Sequence, residues 1–171
     1  DVIPTYAWYN GKVERYLAGD KIKDMDQVVY ITKPAGDIRD RDSKIYPFKV
    51  HTGKQPADTQ YKYLLPFQTY KGLWSHLDWD KAISVGAKSM GLPYSGKYSF
   101  VKTAMFVSIN HEVAPKENVL KCRDCHFGSK RFDWKALGYK EDPMKSGGRF
   151  ANNLVYGQKD SKKKEDAVPK K

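Results

Sequence analysis

The chain has 171 residues, of which 40% are hydrophobic and 30% charged, and its formal net charge is +11. This length fits one domain with or without tails, and no stretch approaches the ~20 apolar residues that a membrane helix needs. The basic excess favours acidic partners, but no nucleic-acid-binding motif accompanies it, so we expect no nucleic-acid partner. A mean hydropathy of −0.73 predicts a loop-rich protein with little regular core.

The first predicted element is a β-hairpin around Asn10-Gly11. Residues that favour strands lie on both sides of it, in 6–9 and 12–16. Asn-Gly between such runs is a strong hairpin signal because both residues tolerate a positive φ. Residues 45–50 are also β-prone but contain Pro47, which predicts an edge strand or an extended segment.

The clearest predicted helix spans residues 78–90. Asp78 can cap its start and Gly91 can end it. Residues 98–109 are rich in β-branched and aromatic side chains, which predicts a strand pair or an extended crossing. A further short helix is predicted for residues 132–137.

A five-residue motif carries the clearest chemistry. Cys122-Arg-Asp-Cys-His126 has the Cys-x-x-Cys-His spacing by which c-type haem is attached. Two thiols three residues apart can add across the two vinyl groups of a haem, and the imidazole that follows can bind the iron. The chain has no cysteine outside this motif. We therefore predict that Cys122 and Cys125 bind haem c covalently and that His126 is the proximal iron ligand.

Two other interpretations of the motif stay open at this point. A thioredoxin-like dithiol requires a βαβ pattern around it, and the sequence shows none. Two cysteines and two histidines can also bind zinc, but His126 follows Cys125 directly, which is awkward for finger-type spacing. The motif is expected at the end of a helix over residues 116–126, with Val119 and Leu120 facing the core.

A haem iron has a second axial position, which His, Met or water fills in different proteins. The sequence offers six candidate side chains for it: His51, His76, His111, Met90, Met105 and Met144. The methionines are interpreted as core fillers, and His76 as a surface or hydrogen-bonded residue. His51 and His111 each follow a β-like apolar run and precede a turn, so they are the candidate distal ligands.

Several stretches together resemble one family. Residues 4–11, 44–56, 91–98 and 109–118, extended by 133–139, are similar in order to the C-terminal part of octahaem tetrathionate reductase-type multihaem cytochromes c. This family is related to hydroxylamine oxidoreductase and pentahaem nitrite reductase. The resemblance implies a multihaem cytochrome-like fold, loop-rich, with mostly short α-helices and a small β-hairpin packed around covalently bound haem.

The resemblance also bears on the ligands. Most haems of these proteins have two His ligands, and a His upstream of one attachment motif often reaches the iron of a neighbouring haem. The resemblance therefore implies that His51 and His111 are distal ligands, one of which can serve a haem outside this chain. Family members carry many attachment motifs and this chain has one, so no catalytic residue is predicted.

We expect the chain to be an electron-transferring unit with a bis-His haem in a multihaem assembly. The alternative is a subunit or C-terminal segment of a multihaem reductase acting on tetrathionate, nitrite or hydroxylamine. A third possibility is a basic interaction module without a redox role. The expected partners are other haem-bearing chains or segments and electron donor or acceptor proteins.

The sequence also predicts the domain boundaries and the cellular location. Residues 1–156 are predicted to form the haem c-binding domain and residues 157–171 a basic, flexible tail. The chain begins at Asp1 and not at Met, which suggests a processed product. Attachment of haem through thioethers is extracytoplasmic chemistry, so we expect a periplasmic or extracellular protein.

Overall fold

The fold is centred on a five-stranded sheet with the strand order β1-β4-β5-β3-β2. The computed structural model describes residues 3–110 and 114–150. His111 and the predicted tail 157–171 lie outside these residues. The strands are β1 (Thr5–Tyr9), β2 (Val13–Arg15), β3 (Val29–Pro34), β4 (Lys44–Asp58) and β5 (Tyr98–Ser108). All neighbouring strands pair antiparallel except β3 and β5, which are parallel.

Strands β4 and β5 form the long centre of the sheet. They pair continuously from Phe48 opposite Ser108 to Asp58 opposite Tyr98. The prediction of extended structure for both segments is confirmed, but the edge position expected from Pro47 is wrong. Pro47 lies opposite Tyr6 of β1, just outside the β4–β5 ladder, so its missing N–H removes no bond to β5.

The prediction that the strands on either side of Asn10-Gly11 pair with each other as a hairpin is also wrong. The turn forms, with Gly11 at a φ of 88°, but β1 pairs with β4 and β2 pairs with β3, at opposite edges of the sheet. The amide of Asn10 donates to the carbonyl of Ala35 at 2.9 Å, and the amide of Ala35 donates to Lys12 at 2.8 Å. The sheet therefore curls until its two edges meet at this turn.

Helices are few and mostly short. They are α1 (Trp74–His76), α2 (Trp79–Ser89), α3 (Cys122–Cys125) and α4 (Pro143–Ser146), with a π-type turn at Thr69–Leu73 and a 3-10 turn at Lys116–Asn118. The prediction of α2 is confirmed, including its cap, because the side chain of Asp78 accepts from the amide of Lys81 at 3.1 Å. None of these helices is long and apolar enough to cross a membrane.

The helices are mostly short, as predicted, but the expected predominance of helices over strands is wrong, since a mixed five-stranded sheet dominates the described residues. The continuous helix expected over 116–126 is interrupted at Val119, whose backbone is extended. Val119 and Leu120 are about half exposed and do not face the core. The helix predicted for residues 132–137 is also not formed: residues 134–138 form turns, which end at Gly138 with a φ of 87°.

Three hydrophobic clusters pack around the sheet. The first is formed by Ile22, Ala57, Leu64 and Val101. The second packs α2 against the loop after β4 and is formed by Tyr63, Leu65, Ile83 and Ala87. The third, which we call the C-terminal cluster, is formed by Ile38, Leu137 and Tyr139, with Trp8, Ile45, Phe132 and Trp134 packed against it. It joins the segment after the cysteine motif to the first strand.

Candidate functional site

The cysteine motif occupies a single helical turn. Helix α3 contains both cysteines, and the amide of His126 donates to the carbonyl of Cys122 at 3.0 Å. The carboxylate of Asp124 accepts from the amide of Lys121 at 2.7 Å, which caps the start of the turn. Cys122 is exposed, and Cys125 is half-buried. Both thiols and the imidazole are thus carried by one turn of the chain, with the spacing that covalent attachment of a haem uses.

The imidazole of His126 is held by Asp142. Nδ1 lies 2.6 Å from Oδ1 of Asp142, and the ring is only one-fifth exposed. A carboxylate at this nitrogen makes Nδ1 the donor and leaves the lone pair on Nε2. The pair therefore selects the tautomer in which Nε2 can bind a metal, and it fixes the position of Nδ1.

The side chain of Asp142 also accepts hydrogen bonds from two backbone amides. Its other oxygen accepts from the amide of Phe127 at 2.6 Å, and Oδ1 also accepts from the amide of Met144 at 3.0 Å, which caps α4. Burial alone would raise the pKa of Asp142, but these amide donors and His126 hold the pKa below its ordinary value. Asp142 is therefore a carboxylate at neutral pH, and it can accept all of these bonds.

The chain reverses direction directly after the motif. Phe127 has a φ of 60° and Gly128 a φ of 92°, and a non-glycine residue in this region costs about 1–2 kcal/mol. The bond from the Phe127 amide to Asp142 helps to hold this conformation. Beside the turn is a cleft of about 530 Å³, lined by Arg123, His126, Phe127, Gly128 and Ser129. His126 lines this cleft, which leaves open space beside the imidazole for a prosthetic group.

Aromatic rings are stacked between the motif and the sheet. The imidazole of His126 lies 5.1 Å from the ring of Trp134, with 10° between their planes. Trp134 lies 4.7 Å from Phe132 at 8°, and Phe132 lies 4.1 Å from Tyr6 of β1 at 26°. We call these four nearly parallel rings the aromatic column.

The thiol chemistry disfavours the two other interpretations of the motif. Burial raises the pKa of the Cys125 thiol, although the charge of Arg131 opposes this effect. Dithiol oxidoreductases act through a thiolate, which a lowered pKa favours. No group of three or more metal-ligating side chains is gathered within residues 3–110 and 114–150. A thioether with haem needs neither a thiolate in the product nor a third protein ligand nearby.

The other axial candidates lie elsewhere. His51 is exposed in β4, directly opposite Met105 of β5. His76 accepts from the amide of Asp78 at 3.1 Å through Nδ1, which confirms its interpretation as a hydrogen-bonded residue. Met90 and Met144 are about half exposed and are not core fillers. His111 lies outside the described residues.

The structure does not bring His51 to the motif. Among the helices and strands of the described chain, none contacts α3. The motif is instead held by the loops that follow it, through Trp134 and Asp142. The assignment of a distal ligand to the haem attached here thus stays a prediction.

Sequence reasoning missed the residues that support the motif: Asp142, Trp134, Phe132 and Arg131. Asp142-Pro143 is a recognisable helix start, with a capping residue before a proline. Nothing in the sequence shows, however, that this carboxylate returns to an imidazole 16 residues earlier. Similarly, nothing in the sequence distinguishes Trp134 from an ordinary core residue.

Comparisons with known proteins agree with this chemistry. A family model described as bacterial cytochrome c matches residues 1–129, which include the whole motif. A search of the curated proteins found no match. The crystal structure of octaheme cytochrome c from Shewanella oneidensis is 48% identical, with a TM-score of 0.77. That match covers 83% of this chain and 34% of the other, so the chain spans about a third of that protein's length.

Proposed function

Because the chain belongs to the bacterial cytochrome c family, we propose that it carries an electron-relay haem held by Cys122, Cys125 and His126. The family match and the likeness to the octahaem structure confirm a c-type cytochrome with covalently bound haem c and a multihaem cytochrome-like fold. The residues that bind the haem, the partners and the cellular location are our proposals.

One observation carries the proposal for the site. The turn that contains both cysteines ends at an imidazole whose Nδ1 is bonded to Asp142 at 2.6 Å. Bound haem supplies one-electron chemistry at its iron. The cysteines hold its edge, Nε2 of His126 binds the iron, and Asp142 keeps the ring in the required tautomer.

For the distal position we propose a second imidazole, which leaves no open site at the iron and suits a relay. His51 and His111 remain the candidates. His51 is exposed on the sheet, and Met105 and Val107 beside it on β5 are more than one-third exposed. These surroundings support a role for His51 at the iron of a neighbouring haem, carried by another segment or chain.

A multihaem reductase is the second candidate function. The chain spans only about a third of the octahaem structure, which favours a part of a larger protein or complex. In such an assembly this chain would relay electrons to a catalytic haem carried elsewhere. Tetrathionate, nitrite and hydroxylamine are the substrates that the sequence resemblance suggests, and the assembly would work outside the cytoplasm, where thioether attachment takes place.

The test is to produce the full 171-residue chain in a host that matures c-type cytochromes. We expect a coloured protein whose mass exceeds that of the polypeptide by one haem, and whose haem resists acid–acetone extraction. Replacing Cys122 and Cys125 by serine should abolish retention of haem under these conditions. His126→Ala should retain the covalent haem but lose the low-spin spectrum of the parent, because one of the two proposed imidazole ligands is removed.

His76→Ala is the matched control, because His76 bonds only to its own turn in the described structure. This variant should keep the parent spectrum. A colourless parent protein that binds one equivalent of zinc through the two cysteines would overturn the proposal.

A further inference from the structure

The orientation of an axial imidazole has two parts, the position of its nitrogens and the direction in which its plane faces. The bond from Nδ1 of His126 to Asp142 constrains one atom in the plane of the ring. It leaves the ring free to rock about the line through that bond. A contact with the face of the ring is needed to fix its plane, and Trp134 makes that contact at 10° from parallel.

Trp134 is itself held in place from several sides. Its ring meets the ring of Tyr139 edge-on, with centroids 5.7 Å apart at 87°, and Tyr139 is buried in the C-terminal cluster. On the side of Phe132 the column continues to Tyr6, whose hydroxyl accepts from Nη1 of Arg131 at 3.0 Å. The indole is therefore part of the packed fold and not a mobile surface ring.

Helix packing cannot supply the same constraint. Helix α3 is one turn long and contacts none of the other described helices or strands. The face of His126 is instead connected to β1 through the three other rings of the aromatic column. This column links the plane of the imidazole to the sheet.

We propose that Trp134, supported by Phe132 and Tyr6, is a positioning residue that sets the plane of the His126 imidazole at the iron. This inference rests on the proposed function, because it requires His126 to be the proximal ligand. The plane of an axial imidazole determines which iron orbital holds the unpaired electron of the ferric state. The aromatic column thereby contributes to the electronic state of the haem without touching the iron.

The test uses the haem-loaded full chain in its ferric state, with saturating cyanide so that the second axial ligand is the same in each sample. The paramagnetic NMR shifts of the haem methyl groups then report the plane of His126. We expect Trp134→Leu to change the spread and the order of these methyl resonances. Trp134→Phe, which retains a flat ring, should restore most of the parent pattern.

Trp79→Leu is the matched control. Trp79 also packs against two aromatic rings, Phe67 and Phe100, each at 5.0 Å, but it lies at the start of α2. It should show the methyl shifts of the parent. If Trp134→Leu does not fold, Phe132→Leu is measured in its place, since it removes the third ring of the column and leaves His126 and Trp134 intact.

Unchanged methyl shifts in the folded Trp134→Leu variant, or in Phe132→Leu where that variant decides, would overturn this inference alone. Failure of the proposed function has a different signature, because the parent protein itself would then lack a His-ligated haem. The two outcomes are separated by comparing the parent with His126→Ala before any aromatic variant is measured.

Discussion

The carboxylate of Asp142 bonds to the ring of His126 through one oxygen and to the amide of Phe127 through the other, each at 2.6 Å. The same residue thus fixes the protonation pattern of the imidazole and the reversal of the chain that follows it. A substitution at Asp142 should therefore change both the electron density on the proposed iron ligand and the conformation of the backbone at Phe127.

We predict that Asp142→Asn raises the reduction potential of the haem. A carboxylate gives its partner imidazole more electron density than a neutral amide does, and this stabilises ferric iron. Loss of that effect should raise the potential by about 60 mV, since a tenfold change in a one-electron equilibrium corresponds to about 59 mV. A spectroelectrochemical titration measures this shift.

The control for this change is Asp133→Asn. Asp133 is an exposed carboxylate that accepts from the amide of Ala136 at 2.9 Å and has no bond to His126. Its replacement removes the same charge at a nearby position of the sequence. An equal rise in both variants would mean that net charge, and not the bond to the imidazole, sets the potential.

A second prediction concerns His51. We expect His51→Ala to leave the absorption spectrum of the haem in the isolated chain unchanged, because β4 makes no contact with α3 in the described structure. In an assembled multihaem complex the same change should convert one low-spin haem to the high-spin form. Lys49→Ala, on the same face of β4, is the control. Loss of the low-spin spectrum in the isolated chain would identify His51 as the local ligand.

A third prediction concerns the fold around Asp58. This buried carboxylate accepts from the amides of Gln60, Tyr61 and Ser95, at 2.8, 2.7 and 2.8 Å. Asp58→Ala leaves these donors without their partner and should lower the free energy of unfolding by about 3 kcal/mol. Chemical denaturation measures the loss. The exposed Asp24→Ala, which removes one such bond, should cost about 0.5 kcal/mol.

The same residue predicts a dependence of stability on pH. Burial alone would raise the pKa of Asp58, but the donors on Ser95, Tyr61 and Gln60 hold it below its ordinary value. The unfolded chain, with a pKa of about 3.9, therefore takes up this proton at a higher pH than the folded chain does. The stabilisation is complete above about pH 5 and is lost as the pH falls below about 4 toward the folded pKa. Asp58→Asn should flatten this part of the curve of unfolding free energy against pH.

A fourth prediction tests how α2 packs. Gly86 faces the chain at Pro66 and Phe67, and a Cβ at position 86 would lie 2.6 Å from Cα of Phe67. Gly86→Ala should therefore lower the free energy of unfolding by about 2 kcal/mol, although alanine favours a helix. Gly53→Ala is the control, because its Cβ would meet only Thr103 Oγ1 at 3.7 Å. Equal stability of the two variants would mean that the helix can move away from the loop.

Local patterns predicted the local parts of this structure. The cap at Asp78, the end of α2 near Gly91 and the extended run 98–108 all depend on neighbouring residues. The Cys-x-x-Cys-His spacing likewise indicated covalent haem without any knowledge of the fold. These features were predictable because their physical causes lie within a few positions along the chain.

The features that sequence reasoning missed depend on distant partners. Asn10-Gly11 has the chemistry of a hairpin turn, yet the strands on either side pair with β4 and β3, which come later in the chain. The hydrogen bond from His126 to Asp142 and the stacking of His126 on Trp134 likewise depend on partners that neighbouring residues do not indicate. A single sequence contains no signal for which of many carboxylates or aromatic rings will become a neighbour.

The first strand and the segment after the cysteine motif are held together by groups far apart in the chain. Nε1 of Trp8 donates to the carbonyl of Leu137 at 2.8 Å, across 129 residues. A ribosome makes β1 first and this segment late, so the contact closes only after the intervening sheet has been synthesised. Until then the residues that follow the cysteine turn lack this packed neighbour. We therefore expect the surroundings of the cysteine motif to be completed late in folding.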